Sequence, residues 1–481
     1  MDNKRAFWIV LGAGALLHAL VSFPNHYLFR TYALDLGLYT NTAWQYLHGR
    51  IPDGRLFQEA PSLMLADHFD LHLPLFSPLL LLFGTWALPV VQWASIVAGA
   101  MGVRALLIAL GLEHRHALCG TAIFLTFFGV FAASAFDHHS NVVAAMALPW
   151  FLAALVREKR VAAVLLFIFI LIAKENMGLW VGVVAFVFSF DRSLSGGMRR
   201  NARVLGVIGW AWSLLIILVV MPALTNEGTY AHFDYPLVSG LWAEGQGRTS
   251  PGELLAALFM DDTGAKDGTA IKLEFWCLLL LAGGWALIAR PMWGLMALPL
   301  IAQKMWNNEP SKWAVFGQYN VEFAPLVAVA VPLVLARWTK GGARTWILWL
   351  APLVAVCCTV RTMDNTVAYH DRSRIRLYQA QHYERDYDDD LVRSVIGTIP
   401  ADIAVSAQSP AVPHLALRDR LYQFPIVRDA GIILLLPQES AYPLDTAAYR
   451  IRTDSLLADP AWEVKHRDAS LVLLIRAKGA P

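Results

Sequence analysis

Charge is scarce in this chain: only 16% of its 481 residues are Asp, Glu, Lys or Arg, against about a quarter in ordinary soluble domains. The sequence therefore lacks the solvated surface that a water-soluble globule needs. Cysteine is nearly absent as well. The four present, Cys119, Cys277, Cys357 and Cys358, all fall inside apolar runs without CxxC spacing, which excludes a disulfide framework and a zinc knuckle. A formal net charge of +2, with basic residues in short scattered clusters, leaves no electrostatic footprint for nucleic acid. Internal repeats, low-complexity tracts and matching pairs of Gly/Pro-broken spans are also missing, and the last of these would be the main sequence sign of an inverted-repeat carrier.

What is there is apolar. Hydrophobic types make up 57% of the chain, gathered in runs of about 17 to 22 residues that suit a hydrocarbon core roughly 30 Å thick. These runs predict a polytopic α-helical membrane protein with about eleven transmembrane helices. They lie near 6–23, 90–111, 117–134, 142–156, 160–173, 178–190, 204–224, 271–289, 291–305, 321–336 and 346–362. The basic start and the stretch 6–23 have the outline of a secretory leader, but the stretch is long and no A-x-A site follows, so it reads as a retained first span.

Lys and Arg collect in alternate loops: Lys4 and Arg5; Arg115; Arg157, Lys159 and Arg160; Arg192, Arg199, Arg200 and Arg203; Arg290; and Arg337, Lys340 and Arg344. Placing them all on the cytoplasmic side puts the N-terminus inside and leaves three regions outside, 24–89, 225–270 and the tail 363–481. The segment 71–88 is apolar enough to span but carries Pro74 and Pro78. Counting it as a span would reverse every later loop, so it reads as a helix at the outer interface. Residues 1–362 then form the membrane domain. The tail reads as a small α/β extracytoplasmic domain, with Arg372, Arg374, Arg376 and Asp388 to Asp390 in a linker and first helix. Strands follow at Ile403–Ala407, Gly431–Leu436 and Leu471–Arg476, separated by turn residues such as Pro410, Pro413 and Pro443.

Polar side chains capable of chemistry gather on that outer side. Asp35 stands at the mouth of an amphipathic helix that begins near Leu38, where it can cap the helix, serve as a fixed carboxylate, or do both. Asp67, His68, Asp70 and His72 interleave two imidazoles with two carboxylates. On a helix the two His share a face, and such groups can bind a divalent metal, although they are equally at home at a wet interface. Asp137, His138 and His139 join the third and fourth spans, and Lys174 and Glu175 join the fifth and sixth. Ionisable groups between short apolar spans are costly, so a functional role stands beside the plainer one of an anchor at the span end. After the ninth span come Asn307 to Trp313, then Gln318, Tyr319, Asn320 and Glu322.

These residues in this layout resemble a widespread family of predicted membrane proteins of unknown function, itself similar to the GT-C glycosyltransferases. The resemblance rests on Asp35-Leu36-Gly37, His68, Phe136-Asp137-His138, Lys174-Glu175, Tyr319, and in the tail Ile399-Pro400-Ala401-Asp402 and Val412-Pro413-His414. It implies transfer of a sugar from a polyprenyl-phosphate donor to a lipid, glycan or protein acceptor at the outer face of the cytoplasmic membrane of a prokaryote. Asp35 matches the catalytic base. Lys174, His138 or His139 would stabilise the departing lipid phosphate, Glu175 would orient Lys174, and Asp137 would orient a neighbouring imidazole. His68, Gln318 and Tyr319 complete the expected substrate contacts. Membrane lipids and the lipid-linked sugar are the expected partners, with a divalent metal the one cofactor weighed. Two rival readings are a transporter or lipid flippase, which would place polar groups near mid-membrane along a two-sided path, and a non-catalytic assembly factor presenting its tail.

Overall fold

The computed structural model describes residues 3–225, 227–243, 248–339 and 346–477; Lys340 and Arg344 of the basic loops lie outside the described residues. Contacts divide the chain into two compact units. One comprises Met1–Ser22, Val91–Val220 and Tyr230–Leu377, the other Phe23–Val90, Met221–Thr229 and Tyr378–Pro481.

Long apolar runs without internal charge fold as helices because each backbone polar group is satisfied within its own segment. Among the described residues, six helices are long and apolar enough to cross a membrane: Lys4–Tyr27, His72–Ala109, Gly196–Leu224, Gly268–Ala289, Gln318–Trp338 and Ile347–Asp364. A seventh is reached if His114–Thr126 and Phe128–Ser134, bent by 46°, form one broken span. The helices Ser140–Val156, Arg160–Leu171 and Met177–Phe188 are apolar but shorter. Pro291–Met305 has 15 residues. At 1.5 Å per residue a helix of 12 residues reaches about 18 Å, so six or seven of the described helices have spanning length, against the eleven or so crossings expected. All eleven expected segments are nevertheless helical. The helix expected over 71–88 is a series of short α and 3-10 turns, His72–Phe76, Ser77–Leu79, Leu80–Phe83 and Gly84–Trp86, which runs into Ala87–Ala109. Pro74 and Pro78 remove two backbone donors from it.

In the first unit, Met177–Phe188 and Gly196–Leu215 pack at close range through glycines. A Cβ on Gly209 would stand 2.8 Å from the Gly178 carbonyl oxygen, and one on Gly206 2.9 Å from that of Gly182. Small residues permit this approach where helix association rests on packing rather than on a hydrophobic drive. The helix pair fixes the Lys174–Glu175 turn at its end, where the Ser213 hydroxyl donates to the Glu175 carbonyl at 2.6 Å.

The second unit holds a five-stranded sheet: β1 (Val405–Ala407), β2 (Leu421–Gln423), β3 (Ile432–Leu435), β4 (Trp462–Arg467) and β5 (Val472–Arg476). The strand order is β2-β1-β3-β5-β4. The first three strands run parallel, whereas β5 pairs antiparallel with β3 and with β4. Helices Asp389–Thr398 and Thr446–Ala458 start on Asp388 and Asp445, whose carboxylates accept backbone N–H bonds. The same unit contains the first long loop. Phe29, Ala33, Leu36 and Leu56 share one hydrophobic core with Val405, Val412, Leu415 and Leu434. Polar ties reinforce it: Arg30 donates to the carbonyls of His382 (2.6 Å), Gln381 (2.7 Å) and Glu384 (2.6 Å), and Asn41 to those of Ala416 (2.9 Å) and Arg418 (2.8 Å).

Candidate functional site

Asp35 lies in a single π turn, Ala33–Gly37, closed by the Gly37 amide donating to the Tyr32 carbonyl at 3.0 Å. Such one-turn widenings recur at functional sites because the extra residue re-aims a side chain. Gly37 fits here for a packing reason: a Cβ would meet Val412 Cγ1 at 2.8 Å. The N-cap of the following helix, Leu38–Leu47, is Gly37, without a side-chain cap bond. The N-cap position thus belongs to Gly37, and the π turn sets Asp35 two residues before it.

The turn places Asp35, with Tyr32 and Leu34, on one wall of a cleft of about 390 Å³. Ser409, Pro410, Ser440 and Tyr442 from the tail form the other wall. The Ala33 amide donates to Ser409 Oγ at 3.1 Å, tying the walls at their base. Arg385 pairs with Glu439 at 2.5 Å and donates to the carbonyls of Leu28 (2.5 Å) and Phe29 (2.7 Å). The Tyr387 hydroxyl donates to Glu439 at 2.8 Å. Burial first, and the Glu439 charge second, push that phenol upward, which keeps it protonated as a donor.

The second expected cluster is rearranged. Asp67 ends the turn Met64–Asp67, His68 is extended (φ −132, ψ 121), and His72 begins the next helical turn. His68 and His72 therefore do not share a helical face, whereas His68 Nε2 stays 4.0 Å from the Asp67 carboxylate. The cause is local: the Asp70 carboxylate accepts the His72 amide at 2.9 Å, a side-chain-to-backbone bond that competes with helix. Burial, then the Asp70 charge, raises the Tyr46 phenol.

In the first unit, the junction 136–141 and the segment 318–322 come together. Asp137 is buried and pairs with Arg374 at 2.9 Å, and Arg374 also covers the Phe136 ring at 5.1 Å. The Asp137 backbone orients the His139 ring. His139 Nδ1 lies 3.0 Å from the Asp137 carbonyl, which can only accept, so Nδ1 carries the proton. Nε2 then accepts from Gln318 Nε2 at 3.1 Å. Gln92 Oε1 takes the His139 amide at 2.9 Å. Asn141 donates to Glu322 at 2.6 Å. Glu175, expected to orient Lys174, accepts from the Tyr230 hydroxyl at 3.0 Å. His138 is buried, whereas Tyr319 is exposed.

Sequence reading missed Arg374 as the partner of Asp137 and missed Ser409, Ser440 and Tyr442 as lining of the Asp35 cleft. The turn-forming residues directly after each strand were the available signal for the last three.

A model of the family described as "Predicted membrane protein (DUF2079)" matches residues 25–469. No curated protein matches the chain. Among solved structures it is similar to ArnT from Cupriavidus metallidurans bound to undecaprenyl phosphate, with a TM-score of 0.53 and 12% identity over 98% of each chain. It is likewise similar to ArnT from the same organism in the apo state, with a TM-score of 0.51 and 13% identity over 98% of each chain. At such identities the likeness is one of fold.

Proposed function

For a chain that belongs to the DUF2079 family of predicted membrane proteins and is related in fold to the GT-C glycosyltransferases, we propose a membrane glycosyltransferase that moves a sugar from a polyprenyl-phosphate donor to an acceptor hydroxyl or amine. The observation that carries this reading is the presentation of Asp35 by a π turn to a cleft of small-ligand size. Its place follows from the first spanning helix, after which the loop enters the unit that contains the tail.

The chemistry is a displacement at the anomeric carbon. The acceptor oxygen or nitrogen forms a bond to that carbon as the carbon–oxygen bond to the phosphate breaks. The bonding pair leaves with the polyprenyl phosphate, and the acceptor proton passes to the Asp35 carboxylate. General-base assistance of this kind is worth about 100- to 10,000-fold. The leaving phosphate gains negative charge and calls for cations or donors aimed at it. Lys174 or His138 is the candidate for that role, since His139 gives its one ring N–H to the Asp137 carbonyl and accepts from Gln318. ArnT bound to undecaprenyl phosphate supports a lipid of that class as the carrier. The reaction is assigned to the outer face of the cytoplasmic membrane, in keeping with the loop charges.

The purified protein incubated with a lipid extract should yield products heavier by a hexose, a pentose or an aminosugar, as read by mass spectrometry. Parallel incubations with and without EDTA read any need for a divalent metal. A full set of lipid donors with no mass shift in any acceptor fraction contradicts the reading.

A further inference from the structure

We infer that the Asp35 cleft is the acceptor subsite and that it takes a neutral or amino-bearing sugar, not the phosphate of the donor. The inference rests on the glycosyltransferase reading and deepens it. Three features of the second unit support it, each from a different kind of observation.

The first is topology. Strand β1 lies between β2 and β3 and runs parallel to both, so the connections leaving β1 and entering β3 pass to opposite sides. In open parallel sheets the crevice beyond the carboxyl ends at such a switch point is where ligands bind. Ser409 and Pro410 follow the end of β1 at Ala407, and Ser440 and Tyr442 follow the end of β3 at Leu435. The cleft therefore opens at the position that the sheet alone would nominate.

The second is chemistry. Two tyrosines, two serines and one carboxylate line the cleft, and among the described lining residues there is no Lys, Arg or His. Arg385, which reaches the loop after β3, is committed to Glu439 and to two backbone carbonyls. A phosphate entering this space would meet the Asp35 charge on a wall whose described lining offers it no Lys, Arg or His, a repulsion that grows as water is excluded. A sugar ring offers hydroxyls to the serines and carboxylate and an apolar face to Tyr32 or Tyr442; an amine would pair with Asp35 directly.

The third is rigidity. Gln408, buried at the end of β1, donates to the Ser440 carbonyl at 2.8 Å and accepts from the Leu436 amide at 2.8 Å and the Tyr449 hydroxyl at 3.0 Å. One side chain thus holds the β1 and β3 ends at a fixed spacing, the preorganisation that a weakly binding sugar needs.

Saturation-transfer NMR on the full chain in detergent, with methyl glycosides of neutral hexoses and of glucosamine as probes, tests the inference. Ser440 and Tyr442 are exposed, so Tyr442→Ala and Ser440→Trp remove one wall or fill the cleft with little demand on folding. At least one glycoside should bind the unaltered protein, and both variants should weaken it by about tenfold or more, the usual consequence of removing an aromatic anchor. Undecaprenyl phosphate binding should be unchanged in both. Glycoside binding that survives both substitutions, or no binding by the unaltered protein, overturns the acceptor subsite. Loss of undecaprenyl phosphate binding in the variants also overturns it and assigns the cleft to the donor. None of these results alters the outcome of the lipid-extract incubation, so the two proposals fail separately.

Discussion

The helical core of the first unit and the Asp35 cleft of the second handle charge differently, although the second unit also buries Arg30 and the Arg385–Glu439 pair. The first buries it and satisfies it internally: Asp137 with Arg374, Glu322 with Asn141, and Lys272 with three backbone carbonyls at 2.8 to 3.1 Å. The cleft of the second unit has a half-buried carboxylate, Asp35, on its wall. A buried pair is a structural commitment, because removing one partner strands the other in a low dielectric. A carboxylate on a cleft wall can be exchanged for an amide of the same shape with little structural consequence. Polar residues of similar appearance in the sequence thus include buried partners such as Asp137 and a cleft-lining carboxylate, Asp35.

Substitutions can break this contrast, and the largest effect belongs to the first unit. Arg374→Ala should lower the unfolding free energy by about 3 to 5 kcal/mol by leaving Asp137 buried without its cation, seen as a fall in thermal midpoint in detergent. The double variant Arg374→Met, Asp137→Leu should recover most of the loss. If the single substitution is silent, the pair is not the commitment described. Next comes Gln408→Leu, which orphans the Leu436 amide, the Ser440 carbonyl and the Tyr449 hydroxyl. It should cost about 1 to 3 kcal/mol and raise the protease sensitivity of the 436–442 loop.

Acid should act on the second unit through His414, which stacks on His26 at 4.4 Å. Burial first, then the His26 ring and the Arg393 charge, hold its pKa well below 6.5. The unfolded chain binds this proton below pH 6.5 and the folded chain does not, so stability falls as pH drops through that value, by at most about 1.4 kcal/mol per pH unit. Thermal midpoints measured from pH 7.5 to 5 should show the slope, and His414→Phe should flatten it. The smallest structural effect is expected at Asp35→Asn, a change of about 0.5 kcal/mol or less in the same unfolding assay. A large loss there would make Asp35 a structural residue like those of the first unit.

Helix positions were legible because apolar runs report burial in any context; all eleven expected segments are helical. Their depth was not, since Arg160–Leu171 and Met177–Phe188 carry the composition of spans at little more than half the length. In the tail, β1, β3 and β5 announce themselves by β-branched and leucine-rich runs. By contrast β2 has three residues, and β4 is a polar edge strand, Trp462–Arg467, with mostly exposed side chains. Neither leaves a periodic signal. The likeness to GT-C enzymes was readable from Asp35 and its companions, and the fold bears it out. The sharing of a core by Ala33 and Leu36 with Val412 and Leu415 was not readable, because contacts almost 380 residues apart impose no local spacing. The His68–His72 face failed for a different reason: Asp70 bonds to the backbone and breaks the helix that the spacing assumed.

Sugar transfer by this protein depends, in the proposed mechanism, on the chemical role of Asp35. A single-turnover measurement with a radiolabelled polyprenyl-phosphate sugar preloaded on the purified protein isolates the transfer step from binding. Asp35→Asn should slow transfer by about 100- to 10,000-fold while retaining donor lipid at the same affinity. Transfer within about threefold of the unaltered protein, with donor binding intact, would contradict the assignment of Asp35 as the base.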